Sequence, residues 1–137
     1  MVQSITPGQT ATAYGTVTEK STAQAIGSGS LAVFSTPMMI AVMEEAACLC
    51  LADNLEEGQT TVGVSLCIDH TAACSVGAKI AATATVTAVS GRTISFTVAA
   101  RDGAGEIGRG THTRAIVDAE RFMKKAAART SEEKADV

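Results

Sequence analysis

The sequence is poor in aromatic residues and in positive charge. Its 137 residues include no tryptophan, one tyrosine and three phenylalanines, and the formal net charge is -3. A protein that binds nucleic acid ordinarily presents a basic surface, and one that binds single strands also presents aromatic rings on which bases stack. Because the chain has neither feature, we expect no nucleic-acid partner.

A long hydrophobic run and a basic leader are also missing. The most apolar stretch, residues 38–51, is interrupted by Glu44 and Glu45. It is shorter than the roughly 20 residues that a helix needs to cross a bilayer. The opening residues lack a basic region followed by an apolar segment, the pattern of a secretion signal. We therefore expect a cytoplasmic protein with no membrane partner.

Small and medium-sized aliphatic residues dominate what is present. Hydrophobic residues make up 46% of the chain and aromatic residues 3%, so Ala, Val, Ile, Leu, Met and Cys must fill most of the core. Four cysteines, Cys48, Cys50, Cys67 and Cys74, lie in patterned segments and not in a disulfide framework, which predicts reduced, buried thiols. They and the two histidines lack the spacing of metal ligands, so we expect no metal site. The length predicts a single domain over residues 1–137.

Periodicity predicts strands on both sides of one helix. Alternation indicates a first strand at residues 9–18, and the aperiodic, glycine-containing segment 19–30 is expected to be a mobile connection that covers a site. Further strands are expected at 60–69, 78–90, 92–101 and 106–117. Tight turns around Gly91 and Gly103 join the last three into an antiparallel meander. Asp118 should cap a closing helix at 119–128, followed by a frayed charged tail at 130–137.

The segment 36–54 is predicted to be the central helix. Thr36 is a good N-cap, and Pro37 suits the first helical position. Nearly every residue from 38 to 51 is apolar, on all sides of the helix, which is typical of a helix wrapped by other structure. A strand, a buried helix and a run of antiparallel strands together indicate the α+β class.

A few side chains in this framework can do chemistry. Glu44 and Glu45 are the only charges in the apolar stretch, and a buried carboxylate needs a partner or a role; the alternative is that both are solvated at an edge or a subunit contact. His70 ends a predicted strand and could face a pocket, although a lone histidine is more often structural. The Thr36 hydroxyl lies at the positive end of the helix dipole, where an oxyanion is favoured, but capping alone also explains it.

These positions belong to longer motifs that resemble one known family. The motifs are Phe34-Ser35-Thr36-Pro37-Met38-Met39, Met43-Glu44-Glu45-Ala46, Gly63, His70-Thr71-Ala72-Ala73 and Gly110-Thr111-His112-Thr113-Arg114. Together they resemble the fluoroacetyl-CoA thioesterase group of hot-dog proteins, over about residues 10–123. The resemblance implies a hot-dog fold, in which an antiparallel sheet wraps around a central helix, and a homodimer that could pair further.

The resemblance also implies an activity and a catalytic triad. It implies an acyl-CoA thioesterase that hydrolyses a small acyl-CoA thioester to the free acid and coenzyme A, with Thr36, Glu44 and His70 as the triad. Glu44 is preferred over Glu45 because it matches the family position. Coenzyme A is then part of the substrate, and no separate cofactor is expected.

Three further residues are assigned to substrate binding by the same match. The backbone amide of Gly63 is expected to help hold the thioester carbonyl, Arg114 to serve the cofactor end of the substrate, and Phe34 is the aromatic ring nearest the site. The small residues at 27–30 depart from an aromatic gate, so no particular acyl group is predicted.

Geometry and chemistry leave alternatives open. Eight residues of helix rise about 12 Å, so Thr36 and Glu44 cannot bond directly, and either substrate or His70 must lie between them. The resemblance to hot-dog dimers implies a site at the subunit interface, to which two chains contribute. The competing functions are an enoyl or hydroxyacyl thioester hydratase-dehydratase, and a non-catalytic acyl-CoA-binding protein.

Overall fold

A computed structural model of the protein describes residues 2–134. Its strands and α-helices, in chain order, are β1 (Thr10–Thr16), α1 (Ala23–Ile26), α2 (Thr36–Leu51), β2 (Gln59–His70), β3 (Lys79–Ser90), β4 (Thr93–Asp102), β5 (Gly105–Asp118) and α3 (Ala119–Ser131). Two 3-10 turns, Glu19–Ser21 and Ala52–Asn54, lie between them. All five predicted strands, the central helix and the closing helix are confirmed, with ends shifted by a few residues.

The strands form one antiparallel sheet in the order β1-β3-β4-β5-β2. Strands β3, β4 and β5 form the predicted meander, and Gly91 turns the first hairpin with a positive φ of 60° that favours glycine. Strand β2 does not pair with β3, the next strand in the chain; it lies at the edge of the sheet beside β5, so the connection from β2 to β3 crosses the sheet. As a result β1 and β2 are the two edge strands.

Helix α2 packs on one face of this sheet, as expected for the α+β class. Its buried residues are Met39, Met43, Ala46, Ala47, Cys50 and Leu51. Small residues on the strands below it, such as Ala82, Ala84 and Ala100, let the helix approach closely. The helix lies mainly over β1 and β3, and much less over β4 and β2. The half of the sheet that contains β2 is therefore only partly covered.

The prediction that α2 is wrapped on all sides is wrong for a single chain. Leu49 is 51% exposed, and Cys48 is also exposed. The reason is that one sheet covers only one side of a helix, and no described element packs on the other side. The cysteine prediction is corrected in the same way: all four are free thiols, but only Cys50 and Cys74 are buried, while Cys48 and Cys67 are exposed.

The segments that flank the core are more regular than predicted. The connection 19–30 contains a 3-10 turn and α1, and hydrogen bonds from Ala23 N to Val33 O and from Gln24 N to Leu31 O close it into a compact turn. Its mobility stays a prediction. Helix α3 extends three residues beyond its predicted end, so the start of the predicted frayed tail is helical, and residues 135–137 of that tail lie outside the described residues. No helix within residues 2–134 has the length and apolar character needed to span a bilayer.

Candidate active site

The start of α2 shows which of two neighbouring residues, Ser35 or Thr36, caps the helix. Ser35 has an extended backbone, its side chain accepts a hydrogen bond from the Met38 amide at 3.3 Å, and its carbonyl accepts one from the Met39 amide at 3.0 Å. Ser35 is therefore the N-cap and Thr36 is the first helical residue, so the prediction that Thr36 caps the helix is wrong by one position. The Thr36 hydroxyl does not cap the helix.

Thr36 instead pairs with His70. Its Oγ1 lies 2.8 Å from His70 Nδ1, at the point where β2 ends beside the start of α2. The second ring nitrogen, Nε2, is buried and has no hydrogen-bond partner among residues 2–134. A histidine with one nitrogen bonded to a hydroxyl and the other unpaired is able to exchange a proton with a bound molecule.

A pocket of about 310 Å³ opens beside this pair. Its lining residues are Ala23, Ser28, Val33, Phe34, Ser35, Thr36, His70, Thr71, Ala72 and Ala73. Phe34, one of the predicted substrate contacts, is 4% exposed and contributes to the wall. Ser28, from the segment predicted to cover a site, also borders the pocket.

Glu44 lies in a different cluster. Arg114 Nη1 donates a hydrogen bond to Glu44 Oε2 at 3.0 Å, and the Glu44 side chain is 36% exposed. Gly63 lies against the same carboxylate, because a Cβ placed there would be 2.5 Å from Glu44 Oε2. Glu45 is exposed and forms no ion pair within residues 2–134. Of the two helix carboxylates, only Glu44 is held by other residues.

Arg114 is almost fully buried and its donors are used inside the protein. It is 5% exposed; Nε donates to Thr61 Oγ1 at 2.9 Å and Nη2 to the Thr61 carbonyl at 3.1 Å. Its role toward the cofactor end of the substrate stays a prediction, since within one chain the guanidinium is engaged by Thr61 and Glu44. The same holds for the Gly63 amide, which lies by Glu44 and not in the pocket beside Thr36.

One chain thus brings together two of the three predicted catalytic residues. Thr36 and Glu44 are separated by two turns of α2, a rise of about 12 Å, and Glu44 does not line the pocket that contains Thr36 and His70. Within residues 2–134 no group of three or more His, Cys, Asp or Glu side chains is arranged to hold a metal ion.

Sequence reasoning missed the polar residues that surround Arg114. His112 Nε2 lies 3.2 Å from Arg114 Nη1, and His112 is 1% exposed. The available signal was their spacing, because residues two apart in a strand face the same side of the sheet. A buried histidine and arginine on one face predict a shared network. Thr61, on the neighbouring strand β2, carried no comparable signal.

Comparison with known proteins places this site in a family. Residues 17–120 match the family model FlK, described as fluoroacetyl-CoA-specific thioesterase. The fluoroacetyl-CoA thioesterase of Streptantibioticus cattleyicolor is 41% identical over 98 residues, which cover 72% of this chain and 70% of that protein.

Solved structures give the same result. A crystal structure of a single-residue mutant of the fluoroacetyl-CoA-specific thioesterase FlK superposes with a TM-score of 0.87 at 32% identity, covering 93% of this chain and 98% of that one. A thioesterase superfamily member from Thermus thermophilus has a TM-score of 0.85 at 24% identity, covering 96% and 99%, which supports the fold alone. The predicted hot-dog thioesterase fold and the predicted thioester hydrolase are confirmed. The chain belongs to the family of fluoroacetyl-CoA-specific thioesterases.

Proposed function

We propose that the protein hydrolyses a small acyl-CoA thioester to the free acid and coenzyme A in the cytoplasm, using Thr36, Glu44 and His70. The observation that carries the proposal is the 2.8 Å contact between Thr36 Oγ1 and His70 Nδ1 at the wall of a pocket. Solved structures of the related thioesterase FlK include one mutant in complex with acetyl-CoA and another in complex with fluoroacetate and CoA.

The reacting groups divide the work by position. The Thr36 hydroxyl and the N-terminal end of α2 polarise the thioester carbonyl. The Gly63 amide, which lies beside Glu44, is a further donor when a second copy brings its Glu44 to the Thr36–His70 pair.

The Glu44 carboxylate attacks the carbonyl carbon or takes a proton from the attacking water. If Glu44 acts as a base, the water oxygen forms the new C–O bond, the C–S bond breaks, His70 protonates the departing thiolate, and the proton held by Glu44 restores His70. If Glu44 attacks, an acyl anhydride with Glu44 forms as the C–S bond breaks and His70 protonates the thiolate; water then gives a proton to His70, breaks the anhydride and releases the free acid.

Two copies of the chain supply one site in this proposal. Because Glu44 lies two helical turns from Thr36, a carboxylate from a second copy is needed beside the Thr36–His70 pair. In a two-fold dimer with antiparallel α2 helices, each Glu44 faces the other chain's Thr36, since every contact in such an interface occurs twice. The exposed apolar side chains Val64 (61%), Leu66 (36%) and Leu49 (51%), on edge strand β2 and on the uncovered side of α2, are the surface that a second copy would bury.

An acyl-CoA panel with a thiol-detecting reagent tests the activity. Wild-type protein should release free thiol from short acyl-CoA substrates, and Thr36→Ala, Glu44→Gln and His70→Ala should each lower turnover by about 100-fold or more. Glu45→Gln is the matched control, because it removes the neighbouring charge from the same helix, and it should have a much smaller effect.

Three outcomes would contradict the proposal. Wild-type turnover in Glu44→Gln would contradict the assignment of Glu44 to the triad. A change in enoyl absorbance without thiol release would identify a hydratase or dehydratase instead. Tight binding of every acyl-CoA in the panel without hydrolysis over hours would identify a non-catalytic binding protein.

A further inference from the structure

A buried polar network lies behind Glu44 and has no part in the reaction scheme above. It consists of Thr61, His112 and Arg114, which are 9%, 1% and 5% exposed. Buried polar and charged side chains are costly unless they are paired, and in this network they are paired with one another. The network touches a reacting group at one point, the 3.0 Å bond from Arg114 Nη1 to Glu44 Oε2.

The hydrogen bonds of His112 fix its protonation state and its tautomer. Nδ1 lies 2.9 Å from the Ser65 carbonyl, which can only accept, so Nδ1 carries a proton. Nε2 lies 3.2 Å from Arg114 Nη1, and a guanidinium can only donate, so Nε2 is the acceptor and carries no proton. His112 is therefore a neutral imidazole. Its ring is also stacked on Phe96, with centroids 5.9 Å apart, which restricts its rotation.

Arg114 is held at three of its nitrogens. Nε and Nη2 are bonded to Thr61, and the two protons of Nη1 are directed to His112 Nε2 and Glu44 Oε2. Without an acceptor at His112, one Nη1 proton would be buried without a partner, and the guanidinium would shift to satisfy it. The position of Glu44 Oε2 depends on this nitrogen.

Gly63, which pairs with Arg114 across the strands, also lies against the carboxylate. A Cβ at Gly63 would lie 2.5 Å from Glu44 Oε2, 3.5 Å from Arg114 Nη1 and 3.5 Å from His112 Cε1. The missing side chain therefore leaves the space in which the three groups meet. With Oε2 bonded to Arg114, the partly exposed carboxylate still offers Oε1, which no residue within 2–134 hydrogen-bonds.

We infer that His112 is a positioning residue for the thioesterase reaction: as a neutral acceptor it orients Arg114, and Arg114 holds Oε2 of Glu44 so that Oε1 is directed at the substrate. This inference rests on the proposed function of Glu44. Burial lowers the pKa of His112, and the Arg114 charge acts in the same direction. The hydrogen bond to the Ser65 carbonyl and the Glu44 charge oppose this without outweighing it, which agrees with a ring that stays neutral.

Two amide substitutions test the two hydrogen bonds of His112, to Ser65 and to Arg114, one at a time. In His112→Gln the side-chain oxygen can reach the former position of Nε2 and accept from Arg114, whereas in His112→Asn the shorter amide reaches only the Ser65 carbonyl. We expect His112→Asn to lower kcat for acetyl-CoA by about 10-fold or more with KM within about twofold, and His112→Gln to retain roughly a third or more of wild-type kcat. Thermal denaturation confirms that the variants are folded.

A double-mutant cycle tests whether His112 acts through Glu44. In the Glu44→Gln background, His112→Asn should cause no further loss, because the carboxylate that it positions is already gone. The same fold-loss in both backgrounds would overturn the inference, since a purely structural effect would add independently. Wild-type kcat in folded His112→Asn would also overturn it.

A spectroscopic measurement on the wild-type protein needs no variant to fold. Nitrogen-15 NMR of the His112 ring should show protonated Nδ1 and unprotonated Nε2 at neutral pH. A protonated Nε2 would overturn the inference. Failure of the proposed function has a different signature: Glu44→Gln would then retain turnover, whereas failure of this inference alone leaves Glu44→Gln impaired and His112→Asn active.

Discussion

At the scale of single residues, the start of α2 assigns two roles to two neighbours. Ser35 caps the helix and is 1% exposed, while Thr36 is exposed and bonds His70. Local sequence does not separate them, because serine and threonine are both good caps and a proline is tolerated throughout the first turn. The structure distinguishes them, because the Met38 amide donates its hydrogen bond to the Ser35 side chain.

Substitutions at these two positions should therefore have opposite profiles. We expect Ser35→Ala to lower the free energy of unfolding by about 1 kcal/mol, because the Met38 amide loses its acceptor. Thr36→Val keeps the branched shape and should change stability by less than about 0.5 kcal/mol. It should lower turnover by about 100-fold. Urea denaturation and thiol release measure the two effects, and a Thr36→Val variant that loses stability but keeps turnover would contradict the assignment.

Acid should destabilise the protein through His112. Because its pKa is lowered in the folded state from an ordinary value of 6.5, the unfolded chain binds the proton more readily. The stability contributed by neutral His112 is thus fully present above that value and is lost as pH falls through the folded-state pKa. We expect the free energy of unfolding to decrease more steeply from about pH 7 to about pH 5 in wild type than in His112→Gln. Equal slopes, measured at one protein concentration, would contradict this expectation.

At the scale of elements, the approach of α2 to the sheet depends on a glycine in β5. A Cβ at Gly108 would lie 2.6 Å from Met39 Cε and 2.9 Å from the Asp69 carbonyl. The methionine end can move, but the backbone carbonyl on the paired strand cannot move without disturbing the ladder. The same contact region carries His70, which pairs with Gly108 across the strands.

Gly108→Ala should consequently destabilise the fold. We expect a loss of about 1–3 kcal/mol from overpacking, measured by chemical denaturation. Gly103→Ala is the matched control, because nothing lies within 4 Å of a Cβ there and its φ is not in the positive range. That control should stay within about 0.5 kcal/mol of wild type. Similar losses of stability in the two variants would contradict the claim that the close contact at Gly108 destabilises Gly108→Ala.

The elements also show what the sequence could and could not predict. Alternation located all five strands and the turns of the meander, because those features are local. The crossing of β2 to pair with β5 was missed, because strand choice depends on contacts between residues about 40 to 60 positions apart, such as Gln59 with Asp118 and His70 with Gly108. The bond from Arg114 to Glu44 was missed for the same reason, since it joins β5 to α2, whereas the spacing of His112 and Arg114 was a local signal.

At the scale of the whole molecule, the apolar character of α2 has a different meaning from the one expected. A helix that is apolar all round predicts cover on every side, and one chain covers only the side facing β1 and β3. In our proposal, a second copy covers the rest and supplies Glu44. Motif resemblance groups Thr36, Glu44 and His70 by spacing along the chain, and this grouping stays a prediction, because spacing carries no information about which chain each residue comes from.

Complementation between two inactive variants tests the central claim most directly. Thr36→Ala and Glu44→Gln chains are co-expressed with different affinity tags, and heterodimers carrying both tags are purified and assayed for thiol release. If each site takes Thr36 and His70 from one chain and Glu44 from the other, one of the two sites is intact, and the heterodimer should recover about half of wild-type turnover. If all three residues act within one chain, both sites are defective, and a heterodimer as inactive as its parents would contradict the account.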